Sequence, residues 1–122
     1  MTKYNDAYLA RKYLMKEESS KRRGIAFNLS FVSYKNLMRA KKCYYTGVEL
    51  SDVEGAADQR TIDRINPNKP YEKGNVVACC HAFNQLKSKM EYDGAIFLPS
   101  FQKAVAKMFK TVNKVTETTR KQ

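Results

Sequence analysis

The sequence predicts an α+β domain, with a strand, a loop and a helix at its centre and further helices on either side. Three observations predict it. Thr61-Ile62-Asp63-Arg64-Ile65 alternates as a strand does, with Ile62 on one face and Asp63 on the other. Pro67, Pro70 and Gly74 then bar a regular element from the loop that follows. Val76-Val77 open a second apolar piece that turns helical, where Cys80, His81, Asn84, Lys87 and Ser88 recur at spacings of three and four and share one side.

The flanks are justified in chain order. Asn5 or Asp6 is placed to cap a first helix running to about Glu18. Tyr8, Leu9, Tyr13 and Leu14 should face inward, with Arg11, Lys12 and Lys16 outside. Ser19 through Gly24, with the basic cluster Lys21-Arg22-Arg23, ends it. Ile25 to Leu29 is short, apolar and strand-like, and Ser30 is an N-cap for a second helix to about Ala40. Phe31, Tyr34, Leu37 and Met38 sit on one face of that helix as core residues. Cys43 to Leu50 reads as a strand and turn, and 51–60 as a polar loop. After Asp93-Gly94 breaks the chain, Pro99-Ser100 opens a last helix with Phe101, Val105, Met108, Phe109 and Val112 at helical spacing. Lys103, Lys107, Lys110 and Lys114 form its outer face, and Thr116 to Gln122 read as a frayed polar tail. The 122 residues suit a single domain with N-terminal helices over about 5–40, a core over about 43–90 and a C-terminal helix over about 100–113.

Composition bounds the function. The net charge is +11, distributed as +8 over residues 1–42, −2 over 43–75 and +5 over 76–122. Two basic flanks around a slightly acidic centre suit a polyanion-binding protein with a cation site in the middle. A basic surface with no partner is the plain alternative. No apolar run approaches the roughly 20 residues of a membrane span, and the first six residues lack an apolar signal core. A cytoplasmic protein that does not enter a membrane is expected. Three cysteines, Cys43, Cys79 and Cys80, are an odd count that includes an adjacent pair, so a disulfide framework is not expected.

The central stretch resembles the HNH endonucleases, the ββα-metal or His-Me finger nucleases, and in particular their small phage-type members. The residues that carry the resemblance are Ile62-Asp63-Arg64-Ile65-Asn66, then Tyr71, Gly74-Asn75-Val76, and Asn84-x-x-Lys87. Upstream, Lys21-Arg22-Arg23 before Gly24-Ile25-Ala26-Phe27, and Cys43-Tyr44-Tyr45-Thr46-Gly47, look like the same family's lead-in. Most of residues 20–90 is covered. The resemblance implies a ββα-metal core flanked by N- and C-terminal helices, and metal-dependent hydrolysis of DNA phosphodiester bonds.

It also implies roles. Asp63 on the strand and Asn84 on the helix occupy the two metal-ligand places. One carboxylate and one amide oxygen suit a hard ion that keeps most of its waters, Mg²⁺ or Mn²⁺. Asn75 pins the loop by backbone hydrogen bonds. Lys21, Arg22, Arg23, Arg64, Lys87 and Lys89 are the candidate nucleic-acid contacts. Some members carry a structural zinc on two Cys-x-x-Cys pairs. Here those places read Cys43-x-x-Thr46 and Cys80-x-x-Phe83. Two sulfurs do not make a closed tetrahedral site, so no structural zinc is expected and Cys43, Cys80 and Phe83 are assigned to the apolar core.

The sequence departs from the family at the base. Arg64 stands where the best-known members have a His directly after the first ligand, and a guanidinium cannot take a proton from water at neutral pH. Arg64 remains suited to phosphate. His81, the chain's one histidine, lies a turn before Asn84 and is the imidazole within reach of the site. Two alternatives stand beside the nuclease: an HNH fold that binds nucleic acid without cutting it, and a protein whose basic face engages an acidic host protein, as a phage product acting on a host factor would.

Overall fold

The structure, a computed structural model, describes residues 5–121. Four α-helices and a two-stranded antiparallel sheet make it α+β. The elements in order are α1 (Asp6–Arg22), α2 (Phe31–Arg39), β1 (Arg60–Arg64), β2 (Val76–Cys80), α3 (His81–Tyr92) and α4 (Pro99–Lys121), with a short 3-10 turn at Ala95–Phe97. Among the described residues no helix is long and apolar enough to cross a membrane. The chain divides into two compact units, one up to Gln85 and one from Leu86 onward.

In the first unit Asn5 caps α1, its side chain accepting from the Tyr8 N–H. The helix runs four residues past the expected end. Ser19 and Ser20 do not break it, because Ser20 Oγ donates to the Lys16 carbonyl and is fully buried. Gly24, at φ +71°, stops it instead. The buried face of α1 is narrower than its spacing suggests: Leu9 is fully buried, while Leu14, expected inside, is exposed. Lys16, expected outside, lies over the Tyr71 ring, 4.8 Å from its centroid.

Ser30 caps α2 through the Ser33 N–H. Tyr13 ties α1 to α2. Its ring meets Phe27, Phe31 and Tyr34 edge-on at 5.4 Å each, and its hydroxyl donates to the Leu29 carbonyl at 2.5 Å. Burial, with Tyr8 nearby, pushes the Tyr34 phenol up to about 12. Asp6 adds exposed ion pairs to Lys35 and Arg39. Arg60, at the start of β1, donates to the Leu37 and Ala40 carbonyls at the end of α2, where a cation suits the helix dipole.

β1 pairs with β2 from Arg60 opposite Cys80 to Arg64 opposite Val76. The strand-and-turn reading of 43–50 reduces to a single bridge, Lys42 with Glu49, around a turn that Gly47 closes at φ +78°. The strand-like 25–29 likewise holds one bridge, Phe27 with Tyr71. Cys43, Cys79 and Cys80 are buried together against Tyr45, Leu50 and Phe83, a second small core.

One assignment needs correction. Cys80 does not belong to the helix with His81 and Asn84; it is the last residue of β2, paired with Arg60. A continuous run such as Val76–Cys80 reads equally as strand or helix until a partner strand is known. In the second unit, α4 continues to Lys121, through residues expected to fray; Gln122 lies outside the described residues. The 3-10 turn packs on the start of α4, and Gln102 Nε2 donates to the Ile96 carbonyl at 2.8 Å.

Candidate functional site

The hairpin positions the candidate residues because a strand sends alternate side chains to opposite faces. Thr61 and Asp63 share one face of β1, and Ile62 and Arg64 point the other way. α3 follows β2 with no linker. Its first turn is tied back to the residues before β1, the His81 N–H donating to Gln59 O at 2.8 Å and the Ala82 N–H to Ala57 O at 3.0 Å. The helix therefore starts fixed to the hairpin. Asn84, one turn in, donates from Nδ2 to Thr61 Oγ1 at 2.9 Å, and that hydroxyl donates to the Cys79 carbonyl at 2.8 Å.

Asp63 is 4% exposed. Its Oδ2 accepts from the Tyr45 hydroxyl at 2.8 Å, and the Tyr45 ring lies 4.9 Å from Phe83. A carboxylate in such surroundings costs free energy unless donors or a cation face it. Thr61 and Tyr45 were not among the expected site residues. A signal for Thr61 exists in the sequence, since it stands two before Asp63 and must share its face. None exists for Tyr45, which is 18 positions away.

Arg64 lies on the opposite face. Its Nη1 donates to Pro67 O at 2.8 Å and Lys69 O at 3.1 Å, and the guanidinium stands over the Tyr71 ring at 5.2 Å. Asn75, buried, closes the loop from within. Its Oδ1 accepts from the Asn66 N–H at 2.8 Å, and its Nδ2 reaches the carbonyls of Asn66, Lys69 and Pro70. His81 is half-buried on the first turn of α3, three positions before Asn84.

Lys21, Arg22 and Arg23 are exposed at the end of α1. Arg22 makes an exposed ion pair with Glu18, and Arg23 Nη1 donates to the Tyr71 hydroxyl at 3.4 Å. Burial pushes the Tyr71 phenol up, and Lys16 and Arg23 outweigh that, leaving it below the usual tyrosine value. A cavity of about 390 Å³ lies between this end of α1 and the loop, lined by Gly24, Ile25, Arg64, Pro67, Asn68 and Lys69. In the second unit Lys89 is exposed, whereas Lys87 is buried and ion-paired with Glu91, a setting suited to holding α3 rather than to meeting a phosphate.

At the cysteine places, Thr46 Oγ1 lies 3.8 Å from Cys80 Sγ, and Phe83 stacks on Tyr45. Burial pushes the Cys43 thiol up, but hydrogen bonds from the Thr46 side chain and from the N–H groups of Thr46, Cys80 and Tyr45 bring it down to about 6. Burial and the neighbouring Cys43 hold the Cys79 thiol above its usual value. Among the described residues no three His, Cys, Asp or Glu side chains gather as a metal cluster. Asp63 on β1 and Asn84 on α3, one carboxylate and one amide, are the residues that could hold a hard ion.

No family model and no solved structure matches the chain. It is similar to a phage T4 protein described as an uncharacterized 29.0 kDa protein in the dda-modA intergenic region, 36% identical over 73 residues. That match takes in 59% of this chain and 29% of the relative's length, so the chain spans under a third of the curated relative it matches.

Proposed function

We propose that the chain is a metal-dependent DNA endonuclease of HNH type, hydrolysing phosphodiester bonds with a ββα-metal core formed by β1, β2 and α3. The observation that carries this reading is the link from Asn84 on α3 to Thr61 on β1, two residues from Asp63 on the same face. It sets the Asn84 amide against the strand face that also carries the Asp63 carboxylate, on a helix that starts without a linker.

Asp63 and Asn84 hold a divalent cation, Mg²⁺ or Mn²⁺, which supplies charge neutralisation at the scissile phosphate and the leaving oxygen. Tyr45 keeps Asp63 oriented by its hydrogen bond. His81 is the one imidazole of the chain and accepts the proton of the attacking water. Arg64 holds the loop and sets its positive charge toward the nucleic-acid backbone along the cavity it shares with Lys69. Lys21, Arg22 and Arg23 supply further phosphate contacts, and Lys89 is an exposed cation beyond α3's midpoint. The protein works in the host cytoplasm if it is phage-borne, and DNA is its partner.

A second reading has an observation of its own. Arg64 takes the place of a base on the strand and is committed to two loop carbonyls, as in a domain that keeps nucleic-acid binding without cleavage.

Plasmid nicking with Mg²⁺, Mn²⁺ and a chelator tests both. Nicking is expected with either metal and is lost with chelator. Asp63→Ala should cut at least about 1,000-fold more slowly, since it removes a cation ligand, and Asp63→Asn should also slow cleavage, since it keeps an oxygen but loses the charge. Both variants should still bind DNA, with thermal melts confirming the fold. Neutralising Lys21, Arg22 and Arg23 together should flatten the salt dependence of binding, each lost contact removing about 0.9 from the slope. Binding without nicking under every metal selects the second reading. Absence of DNA binding rejects both and leaves an acidic host protein as the partner to seek.

A further inference from the structure

α4 is 23 residues long, and within its unit it packs on the 3-10 turn at its own start. From Met108 onward its apolar side chains are about half exposed: Met108 51%, Phe109 56% and Val112 51%, as is Leu98 at 51% just before the helix. Leu98, Phe101, Val105, Met108 and Val112 follow one another at steps of three, four, three and four. That is a heptad seam, with Leu98, Val105 and Val112 at a and Phe101 and Met108 at d, and Val115 continues it at the next d.

The charges identify what covers the seam. Lys103, Lys107, Lys110, Lys114 and Glu117 all fall at c or f, the positions farthest from a partner helix. The flanking e and g positions carry Gln102, Phe109 and Thr116 on one side and Ala104 and Thr111 on the other, with no charge. A helix evolved to meet an acidic partner would carry its lysines at e and g, where they form interhelical salt bridges. A helix that meets its own copy must keep like charges out of those positions, as this one does.

From this register we propose that α4 is a self-pairing helix, through which two copies of the chain associate side by side along Leu98, Phe101, Val105, Met108 and Val112. The inference is independent of the nuclease reading. A seam of under three heptads pairs weakly, with a dissociation constant on the order of 10 to 100 µM.

Sedimentation equilibrium of the full chain between about 5 and 500 µM brackets that range. A reversible monomer–dimer equilibrium is expected. Met108→Gln should weaken it at least about tenfold while Met108→Leu preserves it; Met, Leu and Gln have nearly equal helix propensity, so the contrast reports the seam and not helix formation. Val112→Lys should likewise abolish pairing. Lys107→Glu and Lys110→Glu, on the outer face, should leave the constant within about twofold. Circular dichroism on each variant confirms that helix is retained. A monomer throughout the range overturns the proposal, and so does a Met108→Gln variant that associates as the wild type does.

Discussion

The loop between β1 and β2 and the helix α4 invert the usual relation between regularity and anchoring. The loop has no regular structure, yet nearly every residue of it is held. Asn75 alone binds backbone groups of Asn66, Lys69 and Pro70; Asn66 Oδ1 accepts from the Asn68 N–H, and Arg64 takes the Pro67 and Lys69 carbonyls. α4 is fully regular for 23 residues, while its apolar side chains from Met108 onward stand half in solvent. Backbone hydrogen bonding within a helix satisfies the peptide groups and nothing else; it does not place the helix. Polar side chains that reach into a loop's backbone do both at once. In this chain the candidate site sits beside the irregular element, whose backbone is pinned by side chains.

The same residue type breaks the comparison most sharply. Asn75→Ala removes four part-buried hydrogen bonds to the loop backbone and should cost about 2–4 kcal/mol in urea unfolding. Asn113→Ala, on the exposed middle of α4, should change stability by no more than about 0.5 kcal/mol, with a gain as likely as a loss because alanine is the better helix former. Equal effects at the two positions would refute the contrast. Arg64 gives a smaller effect of the same kind. Arg64→Ala should cost about 1–2 kcal/mol by removing its hydrogen bonds to the Pro67 and Lys69 carbonyls and its contact with the Tyr71 ring, and Arg64→Lys should recover only part, since an ammonium lacks the planar fork. If lysine recovers everything, charge rather than geometry holds the loop.

How far the sequence could be read follows from the range of each interaction. β1 was legible because alternation is local: Ile62 and Asp63 had to face apart. The caps Asn5 and Ser30 were legible for the same reason, each acting on a residue three positions on. The α3 boundary was not, because Val76–Cys80 is uniformly apolar and the strand that decides its state begins at Arg60. Leu14 was misplaced because a helix face becomes a core only where another element covers it, and the cover comes from Phe27, Phe31 and Tyr34, around Tyr13. At the site, Asp63 and Asn84 could be named from their order in the chain and Thr61 from its place two before Asp63, but the Tyr45 hydroxyl on Asp63 comes from long-range packing.

Tyr71 bears on how the chain reaches this state. β1 and β2 are neighbours in sequence, and closing them costs little loop entropy. The Tyr71 backbone is bonded to Ala26 and Asn28, its ring carries Lys16 on one side, and its hydroxyl accepts from Arg23 across 48 positions. Contacts of such sequence separation are slow to form and are won only after the local hairpin exists. The contacts of Lys16, Arg23, Ala26 and Asn28 with Tyr71 can therefore form only once the chain has extended beyond residue 71, whereas Tyr13 meets Phe27, Phe31 and Tyr34 within the N-terminal segment itself.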